Sequence, residues 1–264
     1  MPADFLDELY VRIRRYSRTI VPLIARILIT SAFIQDSVDT YKSLEFPKSF
    51  NILYFFWYFY QCNIILSSLL CSIIIIANKY VAPCTVILTC FSFVSLLVYH
   101  NFTDAIIITR RFSVLGGLFL LMAKDFNNYD KHFSIGLPDV PFISKSMYLQ
   151  LAGRIMITFL FITQLIGMNF KSHIFLSIVI VILCAVAFTM IGIGYKVKIV
   201  SPILCVGILL VNFFVYPYWE YPDPKMERDI RFEFFQMLGI AGSLLLLSYE
   251  GAGELSVDEK KKNY

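Results

Sequence analysis

The chain has 264 residues, 58% hydrophobic and 16% aromatic, with 16% charged, a net charge of +4 and a mean hydropathy of +0.70. Soluble domains carry roughly 25% charged residues, so this composition excludes an ordinary soluble domain and points to an integral membrane protein. The positive excess sits in loops and helix ends, which gives nucleic acid no basic patch. The six cysteines (Cys62, Cys71, Cys84, Cys90, Cys184, Cys205) lie in apolar segments without a Cys-x-x-Cys. They read as small packing residues, and neither a metal nor a cofactor is expected.

In chain order, residues 1–18 form an amphipathic lead. Leu6, Leu9, Tyr10 and Ile13 share a helical face and arginines occupy the others, a pattern suited to the cytosolic membrane surface. Asp4, Asp7 and Glu8 precede any apolar run, so no cleavable leader is expected. Eight apolar segments follow, and each predicts a helix able to span a core of roughly 30 Å. They are Thr19–Asp36, Asn51–Ala77, Val81–His100, Asp104–Ala123, Tyr148–Met168, Ser172–Tyr195, Ile199–Trp219 and Glu233–Tyr249.

An internal repeat groups these helices by four. Ala25-Arg26-Ile27-Leu28-Ile29-Thr30 resembles Gly153-Arg154-Ile155-Met156-Ile157-Thr158, and Phe33-Ile34 matches Phe161-Ile162. Tyr80-Val81-Ala82-Pro83 pairs with Ile199-Val200-Ser201-Pro202, each placing a proline in a first turn, where its missing N–H costs little. Ser113-x-x-x-Gly117 pairs with Gly239-x-x-x-Ser243, a small-residue step that lets helices approach closely. The expectation is an all-α polytopic membrane protein with about eight transmembrane helices arranged as two parallel four-helix repeats. Its parts are the lead at 1–18, a first repeat at 19–123, a cytosolic linker at 124–147, a second repeat at 148–249 and a tail at 250–264.

An even helix count puts both termini on one side. With that side cytosolic, thirteen of the 23 Lys and Arg are cytosolic, six are lumenal and four lie within helices, as the positive-inside preference requires. The tail closes with Lys261-Lys262-Asn263-Tyr264, a Lys-Lys-x-x pattern of the kind the retrograde coat reads as a receptor-read address. The same lysines also satisfy the charge bias alone.

The lumenal side collects acidic residues and aromatics. Asp36, Trp57, Tyr218, Trp219, Glu220 and Tyr221 mark a candidate binding surface, suited to an apolar or proline-bearing peptide with a protonated N-terminus. Part of this enrichment is the interfacial aromatic belt of any membrane protein. Asn101-Phe102-Thr103 is a formal glycosylation sequon in a loop too short to be used. Four arginines interrupt the helices. Arg26 and Arg154 lie near the cytosolic end, within snorkelling distance of lipid phosphates. Arg110 and Arg111 lie deeper, with Asp36 or Asp104 as pairing partners. His100, His132 and His173 are scattered, and no nucleophile–base spacing argues for an enzyme.

Several ordered stretches together resemble the surfeit locus protein 4 family. They are Ala25-Arg26-Ile27-Leu28 with Phe33-Ile34-Gln35-Asp36, Gly116-Gly117-Leu118, and Tyr148-Leu149-Gln150-Leu151-Ala152-Gly153-Arg154. Ile193-Gly194-Tyr195-Lys196-Val197-Lys198, Phe234-Phe235-Gln236 and Asp258-Glu259-Lys260-Lys261-Lys262 complete the set, which covers about residues 5–264. Gln35 stands where animal members usually carry Glu, so no role for that carboxylate transfers. The resemblance implies a non-enzymatic cargo receptor of the endoplasmic reticulum (ER) membrane, cycling through the ER–Golgi intermediate compartment and Golgi. It would bind soluble secretory proteins in the lumen, often through an N-terminal hydrophobic-Pro-hydrophobic tripeptide, load them into COPII vesicles and return through Lys261 and Lys262 to COPI. The family's association with lipid scrambling, together with the repeat and the arginines, supports a second reading as a phospholipid scramblase or small-solute transporter. The implied partners are cargo, coat components and membrane lipids, whether the chain acts singly or as a homo-oligomer.

Overall fold

The computed structural model describes residues 2–44, 52–98, 105–133, 145–167, 174–253 and 255–260. Among these residues the fold is entirely helical. Its frame is α1 (Pro2–Lys42), α2 (Ile52–Ile76), α3 (Val81–Val98), α4 (Ala105–Phe133), α5 (Lys145–Gly167), α6 (Ile174–Ile193), α7 (Val197–Val215) and α8 (Pro224–Glu250). A 3-10 turn at Tyr218–Glu220 joins α7 to α8, and a final turn, α9 (Val257–Lys260), closes the described chain.

Ile20–Lys42, Phe55–Ile76, Val197–Glu220 and Pro224–Glu250 are long and apolar enough to cross a membrane, and Val81–Leu97 and Ile182–Ile193 are shorter apolar helices. Their outward faces carry large apolar side chains, among them Phe55, Leu97, Ile203 and Phe214, the last 81% exposed. Such a surface suits hydrocarbon and not water.

Several boundaries depart from expectation. The lead and the first predicted span form one helix that passes Asp36 by six residues, with Pro22 inside it. The helix α4 runs ten residues past Ala123, because Lys124–Phe133 contains no Gly or Pro to stop it. The helix α8 starts at Pro224 and not at Glu233. Asp223 is its N-cap, accepting from the Lys225 N–H at 3.1 Å, and Pro224 occupies the first helical position, where its fixed φ is pre-organised. The predicted first-turn proline of the seventh helix is also displaced. Because α7 begins at Val197, Pro202 lies inside the helix.

The two most extensive helix–helix contacts join the two sequence halves. The α1 helix lies along α8 and α4 lies along α5, while α4 and α8 also meet each other. The two long crossings are built alike. A Cβ at Gly116 of α4 would stand 2.7 Å from the Gly153 carbonyl oxygen and 2.9 Å from the Met156 Cβ of α5. A Cβ at Gly242 of α8 would stand 2.9 Å from the Ala25 carbonyl oxygen and 2.6 Å from the Leu28 Cβ of α1. Between them Gly117 of α4 faces Ser243 of α8 directly. Glycine is required at 116 and 242 because backbone, not a yielding side chain, occupies the space. Ile29, Leu118, Ile157, Ile240 and Leu244 fill the surrounding core.

Polar side chains of α7 turn inward to α8. Ser201 donates to the Leu244 carbonyl, Cys205 Sγ to Ala241 at 3.3 Å and Asn212 Nδ2 to Phe234 at 3.1 Å. Lipid offers these groups no partner, so they define the buried face of an otherwise apolar helix.

Candidate functional site

Toward one end of the bundle α1, α2, α3, α4 and α8 surround a cavity of about 700 Å³. This is the end that carries Asp36, Asp39 and the start of α8, the lumenal side in the sequence-based topology. Small-molecule and peptide pockets commonly span about 300–1,000 Å³. Its wall is apolar where Phe33, Ile64, Leu88, Phe91 and Phe232 meet it, and hydroxylic at Ser37, Thr40, Ser68, Ser92 and Ser95. These hydroxyls cost little inside the helices because several return a hydrogen bond to their own backbone. Ser37 donates to Phe33, Thr40 to Asp36 and Ser92 to Leu88, at 2.7–2.9 Å. Ser37 and Ser68 also share a hydrogen bond that ties α1 to α2.

Charge is fixed around this space. Asp36 accepts from Arg111 Nη1 at 3.3 Å, and the Arg111 guanidinium lies 5.5 Å from the Phe232 ring centroid. Arg231 spans Asp39 at 2.9 Å and Glu227 at 2.6 Å, so α8 is clamped to α1. The lining holds four carboxylates (Asp36, Asp39, Asp229, Glu233) against two guanidinium groups (Arg111, Arg228). The Arg228 and Asp229 rim is exposed. The cavity therefore offers an apolar and hydroxyl-lined interior whose lining is net acidic, a combination that favours a cationic, partly apolar ligand.

The predicted binding surface is divided by this geometry. Asp36 lies in the cavity wall. Tyr218 and Trp219 belong to a separate ring cluster with Phe213, Phe234 and Phe235, at centroid distances of 5.0–6.4 Å. Glu220 and Tyr221 are exposed beside them. Trp57 projects from α2, 40% exposed, with its ring 5.7 Å from Tyr60. None of the cavity-lining residues comes from that ring cluster or from Trp57.

The four arginines also separate. Arg111 takes Asp36 as its partner. The Arg110 backbone lies in α4, and its side chain falls outside the described atoms. Snorkelling of Arg26 and Arg154 to lipid is not what the structure contains, because both side chains are buried within the bundle. Asp125 and Glu250 are the acidic groups acting on Arg26. Arg154 is fully buried and donates from Nη2 to the Leu255 carbonyl at 2.8 Å. Its Nε and Nη1 have no hydrogen-bond partner among the described residues. Lys261, Lys262 and the sequon Asn101–Thr103 lie outside the described residues.

The sequence reading missed the hydroxyl lining and the α8 rim. A signal was available on α1, where Phe33, Asp36, Ser37, Thr40 and Ser43 recur at helical spacing on one face. On α8, Arg228, Asp229 and Phe232 were read as loop before a helix starting at Glu233, so the face they share with Glu233 went unseen.

An all-helical bundle with apolar outward faces, half-buried charge pairs and a cavity near one end defines a polytopic membrane protein. Among the described residues no His/Cys/Asp/Glu cluster could hold a metal ion. The chain belongs to the SURF4 family, which it matches over residues 4–264. It is 31% identical over 251 residues to the ER-derived vesicles protein ERV29 of Saccharomyces cerevisiae, covering 92% of this chain and 78% of that one. It is 29% identical to the Surfeit locus protein 4 homolog of Schizosaccharomyces pombe, covering 92% and 82%. The Drosophila melanogaster Surfeit locus protein 4 homolog is 24% identical, covering 98% and 96%. No solved structure matches the chain.

Proposed function

We propose that this protein is a non-enzymatic cargo receptor of the early secretory pathway, and that its cavity engages soluble secretory proteins from the ER lumen. The observation that carries the reading is that cavity, with its net acidic lining, in a chain whose relatives include an ER-derived vesicles protein. A free peptide N-terminus brings one positive charge, and a short apolar stretch behind it suits Phe33, Phe91 and Phe232. The aromatic cluster of Tyr218 and Trp219, with Glu220 and Tyr221, offers a second contact for folded cargo at the same end.

In this reading the chain spans the ER membrane eight times with both termini cytosolic. It enters COPII vesicles with cargo and returns through Lys261 and Lys262 to COPI. The arrangement of two parallel four-helix halves is supported by the matched crossings, in which Gly116 meets Gly153 as Gly242 meets Ala25, with Gly117 and Ser243 between them. Filling the cavity by Ser92→Trp tests the receptor reading. Export of dependent cargo should fall several-fold while the protein keeps its own location, and unchanged export of every secreted protein would refute it.

A second reading, a lipid scramblase, draws on the serine-lined wall within the helices and on the Arg111–Asp36 pair, which offer a path for a polar headgroup. Protein in liposomes bearing a fluorescent lipid should then let external dithionite bleach both leaflets. Bleaching of the outer leaflet alone removes this reading.

A further inference from the structure

Two carboxylates of α1, Asp36 and Asp39, line the cavity, and the protein treats them differently. Asp39 is saturated. Its Oδ1 accepts from Arg231 Nη2 at 2.9 Å and its Oδ2 from Gln35 Nε2 at 3.0 Å. Asp36 is left open. Its Oδ2 accepts a single bond from Arg111 Nη1 at 3.3 Å, and its Oδ1 has no hydrogen-bond partner among the described residues. Charge-assisted bonds of this kind usually measure about 2.7–2.9 Å, so the contact at Asp36 is the slack one. Arg111 also has a second resting place, the Phe232 ring 5.5 Å away.

The second half of the chain shows what these positions hold when no ligand is served. Asp36 and Ser37 follow Arg26 at the spacing at which Gln164 and Leu165 follow Arg154. Arg111 precedes the crossing glycine Gly116 of α4 as Met237 precedes Gly242 of α8. The turns before α3 and α7 share their backbone, with positive φ at Asn78 and Tyr80 (+58° and +47°) and at Gly194 and Lys196 (+79° and +48°). In that register Ser92 of α3 stands where α7 has Ile208. Met237 is buried and Ile208 packs against the core. The helical frame is therefore built without an ion pair or hydroxyls at these places. Their presence in the first half alone is not a demand of the fold.

We propose that Asp36 seats the ammonium group of a peptide that enters the cavity N-terminus first, taking it in exchange for Arg111, while Asp39 serves only to hold α1 to α8. The inference rests on the receptor reading of the cavity given above and names the residue that selects the ligand. An ammonium carries several donors on a compact head. They meet the open Oδ1 of Asp36, the Oδ2 that Arg111 vacates and hydroxyl oxygens of the same wall. Exchanging one cation for another keeps the partly buried carboxylate paired throughout, which avoids the penalty of leaving it alone. Arg111 retains the Phe232 ring when it lets go. A blocked N-terminus offers an amide N–H without charge, so it has nothing with which to displace a guanidinium. The ligand class is a peptide with an unblocked amine followed by apolar side chains, which Phe33, Phe91 and Phe232 receive.

The test uses the full chain in nanodiscs and two probes, a dye-labelled apolar hexapeptide with a free N-terminus and its N-acetylated twin, read by fluorescence anisotropy. The native protein should bind the free peptide about 10–100-fold more tightly, the range expected for a hydrogen-bonded charge. Asp36→Asn should abolish that preference and leave binding of the acetylated peptide as it was. Asp39→Asn should loosen the clamp between α1 and α8 and weaken both peptides alike, so the preference stays. Arg111→Gln removes the rival cation and should tighten the free peptide about two- to fivefold. A purely structural ion pair would not give that gain, and the variant keeps the test decisive should Asp36→Asn fold poorly. A preference that survives Asp36→Asn, or weaker binding of the free peptide by Arg111→Gln, overturns the proposal. Equal binding of both peptides by the native protein also overturns it, while leaving the cavity a peptide site. Binding of neither peptide overturns it through its premise, a failure distinguishable because no peptide signal then exists to compare.

Discussion

Replacing Gly116 by Ala adds one methyl group where α4 crosses α5. The new Cβ would stand 2.7 Å from the Gly153 carbonyl oxygen, 2.9 Å from the Met156 Cβ and 3.1 Å from the Ile157 nitrogen. Two of these neighbours are backbone, so relief requires the helices to separate along the interface. Overpacking of this kind costs about 1–3 kcal/mol. The gain in helix propensity returns at most about 1 kcal/mol. The net loss is then about 1–2 kcal/mol, a fall in Tm of roughly 2–8 °C for a chain of this size. Gly242→Ala should cost a similar amount, because its Cβ meets the Leu28 Cβ at 2.6 Å and the Ala25 carbonyl oxygen at 2.9 Å. Gly207→Ala is the internal control. Nothing lies within 4 Å of its Cβ, so the same chemical change should leave stability equal or slightly higher. Thermal unfolding in one detergent, followed by tryptophan fluorescence, reads all three. Gly116→Ala and Gly242→Ala as stable as the native chain, or Gly207→Ala as damaging as either, would refute the crossing geometry.

Asp36→Asn leaves Arg111 without its carboxylate at 3.3 Å, in a pair only 17% and 25% exposed. The expected cost is about 2 kcal/mol, between the values for exposed and buried pairs. Joint replacement with Arg111→Met should recover more than half of it in the same unfolding assay. At the other end, Lys124 bridges α4 to Glu250 of α8 at 2.6 Å over the Tyr249 ring. Lys124→Glu should lower stability by about 1 kcal/mol, and the exchanged pair Lys124→Glu with Glu250→Lys should restore most of it. Lys261→Ser with Lys262→Ser should shift the steady-state distribution from ER toward Golgi on imaging. An unchanged distribution would refute retrieval through these lysines.

The helices were readable because long uncharged runs have few structural alternatives in a membrane. Their ends were less so. Asp223-Pro224 is an N-terminal helix signature in the sequence, yet the charged stretch up to Phe232 read as loop, which hid the face that Arg228, Asp229 and Phe232 share with Glu233. The small-residue steps at Ser113–Gly117 and Gly239–Ser243 announced close packing but not their partners, since Gly116 meets α5 and Gly242 meets α1 through contacts between the halves. Arg26 and Arg154 were visible as equivalent charges. Their burial was not, because the groups around them (Asp125 and Glu250 in one case, Leu255 in the other) come from the ends of other helices and from the tail. The cavity depended most on tertiary arrangement. Ser37, Ser68 and Ser92 are ordinary helix residues until three helices turn them toward one space.

The central claim is that the cavity between α1, α2, α3, α4 and α8 receives secretory cargo. A photo-crosslinking amino acid at Ser92, inside the cavity, and another at Gly207, on the open face of α7, test it in ER microsomes carrying newly made secretory proteins. The account predicts adducts with soluble cargo from position 92, suppressed when the chain also carries Asp229→Lys, and none from position 207. Adducts with lipid alone at both positions would contradict it.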